Sequence, residues 1–322
     1  MRESEHFRIE RLAEGAFAAI ATERGGGYSN AGIVDLGDRT LIFDAFDSVQ
    51  AGEDLRILAE ELTSGPIVYL IISHYHSDHW SGVQAFPSHT SVISTHITRD
   101  LMFEEVKELT ALKANPSELV KEIEELQLSL ENETNPIRRS SLESNISRIH
   151  QDLASLPIFQ PRLPDQTFDN MLVFHGSQRK AELVTQGKGH TESDAYLILP
   201  EERIVFMGDL GFFQCQPFMV NADLLSWEAQ LKTFLRSDVE AFVPGHGALG
   251  KKSDLTLMLD YFDSMEELVR RLIDEGKAVD YALKQILPPP FDEWQERSSR
   301  RYERNVKSLY QKMVDTSNHE QV

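Results

Sequence analysis

The densest set of chemistry-capable side chains is His74-Tyr-His76-Ser-Asp78-His79, four potential metal ligands within six residues. Directly before it, Ile67-Val-Tyr-Leu-Ile-Ile-Ser73 is continuously apolar and β-rich, which suits a strand covered on both faces. In a loop leaving that strand, His74 and His76 can point to one side while Asp78 and His79 turn toward a second position. This spacing differs from a helical His-Glu-x-x-His site, whose ligands sit one turn apart. Zinc accepts imidazole nitrogen at about 2.0–2.1 Å and carboxylate oxygen at about 2.0–2.2 Å, so these residue types suit it.

Three further candidates each follow a predicted strand: His190 after Ala181–Thr185, Asp209 after Arg203–Met207, and His246 after Val239–Val243. Gly189, Gly208 and Gly245 stand beside them and permit the tight backbone that such loops need. Taken singly, each has a bland reading. A lone histidine after a strand is usually structural, Gly208-Asp209 is an ordinary turn, and Pro244-Gly-His-Gly247 is an ordinary loop. Taken together, seven ligand-type residues at the exits of four predicted strands can converge on one edge of a sheet sandwich.

The elements that must position them follow from periodicity. Ala16–Thr22 is a predicted strand followed by the glycine turn Gly25–Gly27, and Gly37-Asp38 joins Ile33–Leu36 to Thr40–Phe43 as a hairpin. Gly52–Leu62 carries leucines at helical spacing, and Met171–Phe174 and Ala195–Leu199 are further strands. Between about Leu109 and Leu156, two amphipathic runs separated by Asn132–Pro136 predict a helical hairpin. From Asp254 onward the chain is helical, interrupted at Pro288–Pro290. The strands cluster in two groups, which fits two β-layers flanked by helices.

The bulk composition narrows the function. With 322 residues the chain can bury a large core. A net charge of −20 disfavours nucleic acid as the main partner. The single cysteine, Cys215, excludes an intrachain disulfide and permits a reducing compartment. The charged N-terminus carries no signal-peptide pattern and the apolar runs are strand-length, so a cytoplasmic protein that spans no membrane is expected.

The segments Ser73-HYHSDHWSG-Val83, Gly189-HTESD-Ala195, Phe206-MGD-Leu210 and Pro244-GHG-Ala248 closely resemble the motifs of the metallo-β-lactamase superfamily. Asp44, ending Leu41-Ile-Phe-Asp44, matches the acidic residue of that family's first motif. The resemblance runs from about residue 10 to 255 and is nearest to the glyoxalase-II-like and zinc β-lactamase-like hydrolases. It implies an α/β fold, a four-layer αββα sandwich, with the helical hairpin inserted and a helical C-terminal tail. The implied domains are a catalytic domain over residues 1–255, with the insertion at about 109–156, and a helical extension over 256–322 packed on it. It further implies two zinc ions per chain, with iron or manganese as substitutes. One would be held by His74, His76 and His190, the other by Asp78, His79 and His246, with Asp209 bridging. Asp78 and Asp209 would be the catalytic carboxylates around a shared water, and Asp44 would steady a ligand imidazole.

Asp209 stands where some zinc β-lactamases carry cysteine, so an ester, lactone, thioester or phosphodiester substrate is as well supported as a lactam. Cys215 is expected to be a packing residue. Arg304-Asn-Val-Lys307 superficially fits a glutathione-binding pattern of glyoxalase II, but it lies in a predicted helix from Glu296 to Lys312 rich in Arg and Lys, where a solvated face is the better explanation. Trp80, Phe212, Phe213 and Phe218 are candidates for the wall of a small-molecule pocket, or for core. The hairpin is a candidate to overhang that pocket or to form a homo-oligomer contact. Two other readings compete: a mononuclear iron dioxygenase acting on persulfides, and a non-catalytic metal-binding protein.

Overall fold

A computed structural model describes residues 3–283, 285, 287–295 and 300–319, with side chains to residue 315. The first half builds one sheet in chain order. Its strands and helices are β1 (Phe7–Ala13), β2 (Ala16–Ala21), β3 (Ala31–Asp35), β4 (Thr40–Phe43), α1 (Val49–Leu62), β5 (Ile67–Ile71), β6 (Ser91–Thr95), α2 (His96–Ala114), α3 (Ser117–Asn132), α4 (Pro136–Ser155) and β7 (Gln166–Phe168). Strands β1 to β4 pair antiparallel, and β4 to β7 pair parallel. The parallel half needs crossovers, and α1 supplies the one between β4 and β5.

The second half supplies β8 (Met171–His175), β9 (Lys180–Thr185), β10 (Ala195–Leu199), β11 (Ile204–Phe206), β12 (Phe212–Phe213), α5 (Leu224–Arg236), β13 (Ala241–Val243), β14 (His246–Gly247), α6 (Lys252–Asp274), α7 (Val279–Ala282) and α8 (Arg301–His319). A five-stranded sheet has the order β13-β11-β10-β9-β8, while β12 and β14 form a small parallel pair. That pair sets Phe212 opposite His246.

Alternation within the strands divides the apolar side chains among three cores. Val34, Leu41, Phe43 and Ile71 of the first sheet meet Leu183, Leu197 and Phe206 of the second. The other face of the first sheet packs with α1 and Met102 of α2. The other face of the second packs with α5, α6 and α8 through Trp227, Phe262 and Val306. The protein is thus mixed α/β with helices outside both sheets. Among the described residues, no helix is long and apolar enough to cross a membrane.

Helix α2 runs through Leu112 to Ala114, so the hairpin is narrower than the predicted 109–156 and consists of α3 and α4. Pro116 accounts for the difference, because the residue before a proline is pushed out of the helical region. Asn135 caps α4 by accepting hydrogen bonds from the amides of Ile137 and Arg138, with Pro136 at the first position. Strands β1, β6 and β7 and helix α5 have no counterpart among the sequence expectations. The expected helix from Glu296 is seen as α8 from Arg301, and residues 296–299 lie outside the described set.

Candidate metal centre

All seven candidate ligands come together where strands β5, β9, β11 and β13 end. His74 Nε2 and His190 Nε2 each lie 3.0 Å from His76 Nδ1. Asp209 Oδ2 is 3.3 Å from His190 Nε2 and 3.7 Å from His74 Nε2. On the other side, Asp78 Oδ2 lies 3.4 Å from His79 Nε2 and 3.2 Å from His246 Nε2. Asp209 Oδ1 is 3.0 Å from His79 Nε2 and 3.4 Å from His246 Nε2. The two oxygens of one carboxylate therefore face two different sets of donors. Separations near 3 Å are those of atoms that share a cation at about 2 Å.

The protonation states suit ions at both positions. Burial pushes the His74, His76 and His190 imidazoles down, so they are neutral donors. Burial raises the Asp209 carboxyl, but His246 and His79 overcome it and hold it well below the usual carboxylate range. Asp78 is likewise held low, with His79 and His246 outweighing burial. Burial lowers His79, yet Asp209, Asp78 and Asp44 together raise it well above its ordinary value. That proton stands where the carboxylates call for a cation. The buried Nε2 of His79 and Oδ1 of Asp209 make no hydrogen bond, which fits atoms aimed at an ion.

Fully buried Asp44 orients the first loop from a left-handed backbone conformation, φ 60°. Its Oδ1 accepts from the Ser73 amide, and its Oδ2 accepts from Ser73 Oγ and from His79 Nδ1, all at 2.8 Å. Because the Ser73 hydroxyl donates to Asp44, its oxygen is left to accept from His74 Nδ1, 3.0 Å away. One carboxylate thereby fixes two imidazoles with their Nε2 atoms turned to the centre. The sequence reading placed Asp44 in this supporting position but missed Ser73.

Asn30 was also missed. Its Nδ2 donates at 2.9 Å to the carbonyls of Pro244 and Gly247, so it clamps the loop that presents His246. Gly245 is dictated by space, since a Cβ there would fall 2.0 Å from Asp209 Oδ1.

Aromatic side chains form the surround, with two corrections to the expected wall. Trp80 is buried in the core against Phe159 and donates from Nε1 to the Tyr75 carbonyl, because the turn over Ser77–His79 sends it away from the candidate ligands. Phe213 is core as well, pressed against Gly250. Phe212 and Phe218 do touch ligand rings. Phe212 stacks on His246 at 4.9 Å, and Phe218 meets His76 edge-on at 5.7 Å. Tyr28, absent from the expected set, meets His246 edge-on at 5.1 Å. Cys215 is buried in the core, as a packing residue would be. His76, Asp78 and Phe218 are partly exposed and mark the open side.

Helix α8 holds the Phe218 loop from behind. Buried Asn305 donates from Nδ2 to the Pro217 carbonyl at 2.7 Å and accepts from the Met219 amide at 2.8 Å. Arg301 Nη1 donates to the Gln216 carbonyl, and Lys312 Nζ donates to those of Val220 and Ala222, each at 2.9 Å. The same loop carries Asn221, which acts to raise the His76 pKa against the larger effect of burial. Lys307 pairs with Glu303 on its own helix.

Residues 24–246 match the family model of the metallo-beta-lactamase superfamily. The chain belongs to that superfamily. Metallo-beta-lactamase superfamily members are mostly hydrolytic metalloenzymes, and the His/Asp cluster described above could bind metal. Among solved structures, a crystal structure of VMB-1 at pH 5.5 is similar with TM-score 0.53 and 16% identity, over 79% of this chain and 95% of that one. At that identity the likeness concerns the fold. No curated protein matches the sequence.

Proposed function

We propose that the protein is a dinuclear metallo-hydrolase, with zinc as the natural occupant of both positions. The observation that carries this reading is the division of Asp209, whose Oδ2 faces the three-histidine set and whose Oδ1 faces His79 and His246. A neutral residue there could not offset the repulsion between two cations a few ångströms apart. His74, His76 and His190 would hold one ion, Asp78, His79 and His246 the other, and Asp209 both. The catalytic domain spans residues 1–255, with the helical extension over 256–322 packed on it.

Ions held there supply Lewis acidity and water of lowered pKa, the requirements for attack on a carbonyl or phosphoryl centre. The protein's own contribution is positioning. Asp44 and Ser73 fix the imidazole tautomers, the backbone at Gly245 leaves room for the bridging carboxylate, and Phe212 and Trp227 dry the inner side of His190. Asp78, on the open side, is placed to accept a proton from the attacking water. The substrate is an ester, lactone, thioester, lactam or phosphodiester.

Zinc-loaded protein should be assayed against one chromogenic member of each of these five classes. At least one should be turned over, with loss on chelation and recovery on adding metal, and Asp209→Asn should lower turnover by several orders of magnitude. Hydrolysis insensitive to chelator, or no hydrolysis in any class, would overturn the reading.

A further inference from the structure

Between the hairpin α3–α4 and the chain that links α7 to α8 lies a cavity of about 640 Å³, an ordinary volume for a small-molecule site. None of the seven candidate metal ligands lines it. Two of the side chains that do line it end in a buried oxygen with no hydrogen-bond partner, Asn145 Oδ1 and Gln216 Oε1. Asn145 is 3% exposed and Gln216 7%. Asn145 stands three residues after Leu142 and four before Ile149, on the stripe of α4 that packs against α3, where the spacing calls for another apolar side chain. Gln216 has both backbone groups satisfied, its amide donating to the Gln295 carbonyl at 3.1 Å and its carbonyl accepting from Arg301 Nη1 at 2.9 Å. Its side-chain oxygen is the group left over. A carbonyl oxygen withheld from water and from any donor costs stability, and buried polar groups are otherwise almost always paired. Two of them on one cavity call for a donor held inside it.

The rest of the lining tells what carries that donor. Glu118, Glu122 and Glu125 succeed one another at helical spacing along α3, on the face that lines the cavity. Among the described lining residues five carboxylates stand against three cations, so the surplus is negative. Two of those cations, Lys121 and Arg300, approach the same Glu125, at 3.7 and 3.4 Å. On the side of the C-terminal extension, Leu287, Phe291 and Trp294 supply an apolar wall, with Trp294 stacked on Tyr261 at 5.4 Å. Ring faces and carboxylates attract the same charge, so the lining suits a cation on an apolar body. An anion would meet the negative surplus, and a hydrocarbon would leave both oxygens unpaired.

We infer that this cavity is a second ligand site, separate from the metal centre, for a small organic amine. Its ammonium group is received by Asn145 Oδ1, Gln216 Oε1 and the carboxylates of α3, and its apolar body lies on Leu287, Phe291 and Trp294. No metal and no turnover enters this inference, so it stands apart from the hydrolase reading. Gln216 is two residues from Phe218, which meets His76, so one loop has a side chain in the cavity and another on a candidate ligand ring.

Calorimetric titration of the full chain tests it, with phenethylamine as the probe and 3-phenylpropionate beside it, which has a similar size and the opposite charge. Both are titrated into zinc-loaded and into chelator-stripped protein. The amine should bind alike in the two metal states, and the carboxylate about 10-fold more weakly or not at all. Asn145→Leu combined with Gln216→Leu should weaken the amine by roughly 10- to 100-fold, the usual worth of hydrogen bonds to a charged group. The same double variant, without ligand, should melt no lower than the unmutated protein, because it removes two unpaired buried oxygens, whereas amides with a structural role would lower the melting temperature. Should the double variant fail to fold, Gln216→Met, which keeps the length of the side chain and removes its oxygen, carries the same comparison. Absence of amine binding, equal binding of the carboxylate, binding that vanishes with the metal, or binding indifferent to the two oxygens overturns the site. None of these results bears on the hydrolase reading.

Discussion

Helix α8 and the hairpin α3–α4 both reach the rings around the candidate metal centre, but they are attached on different terms. The hairpin satisfies its apolar stripes largely within itself, through Leu119, Ile123 and Leu126 against Leu142, Ile146, Ile149 and Leu153. Most of its ties to the rest run through exposed groups, such as Ser144 and Ser147 donating to the carbonyls of Glu23 and Arg24 and the Arg24–Glu143 ion pair, beside one buried hydrogen bond from the Val49 amide to Ser155 at the end of α4 and Arg148 over Tyr28. Surface pairs of that kind contribute about 0–1 kcal/mol each. Helix α8 instead buries Val306 and Leu309 in the core beneath the second sheet and spends buried polar side chains on the backbone of one loop. An amphipathic stripe can therefore signal two different things. In the hairpin it is closed by its own partner, and in α8 it seats the helix so that polar residues can hold the site's wall.

The larger effect should come from α8. Asn305→Ala leaves the Pro217 carbonyl and the Met219 amide without their buried partner, and each such loss costs about 1–3 kcal/mol. Thermal unfolding should therefore begin several degrees lower. The loop bearing Phe218 and Asn221 should loosen, weakening metal affinity at the His76 position by about 10-fold, as lost support behind a ligand commonly does. If melting and metal affinity both match the unmutated protein, the clamp has no such role.

The hairpin should matter less. Replacing Ser117–Leu153 with a short Gly/Ser linker should leave the metal content unchanged, because no candidate ligand lies there. It removes Arg148 from the face of Tyr28, so a modest rise in KM with little change in kcat is expected. Loss of metal from the trimmed protein would show that the two helical regions are not different in kind.

The candidate ligands were legible because their types are rare in combination and because apolar runs mark the strands they follow. Asp44 was legible only through its place at a strand end. Ser73, Asn30 and Asn305 were not, since each is a single polar residue whose partner is set by tertiary approach; Asn30 and Pro244 are 214 positions apart. Whether Trp80 and Phe213 were wall or core was left open for a related reason. Nearness to a ligand in sequence does not say which way the next side chain faces, and a 3₁₀ turn over Ser77–His79 sends Trp80 to the core. Strand β7 has only three residues, too few to alternate visibly, and β1 is half polar. The break at Asn115-Pro116 was readable but was overlooked, which joined Leu112 to the wrong helix.

The central claim is that one carboxylate joins two metal positions. Its most direct test is the metal content of protein purified without chelator, measured by elemental analysis beside Asp209→Asn. The unmutated chain should carry two ions and the variant fewer, because an amide cannot balance both charges. A fixed content of one ion in the unmutated protein, or two retained in Asp209→Asn, would contradict the bridge.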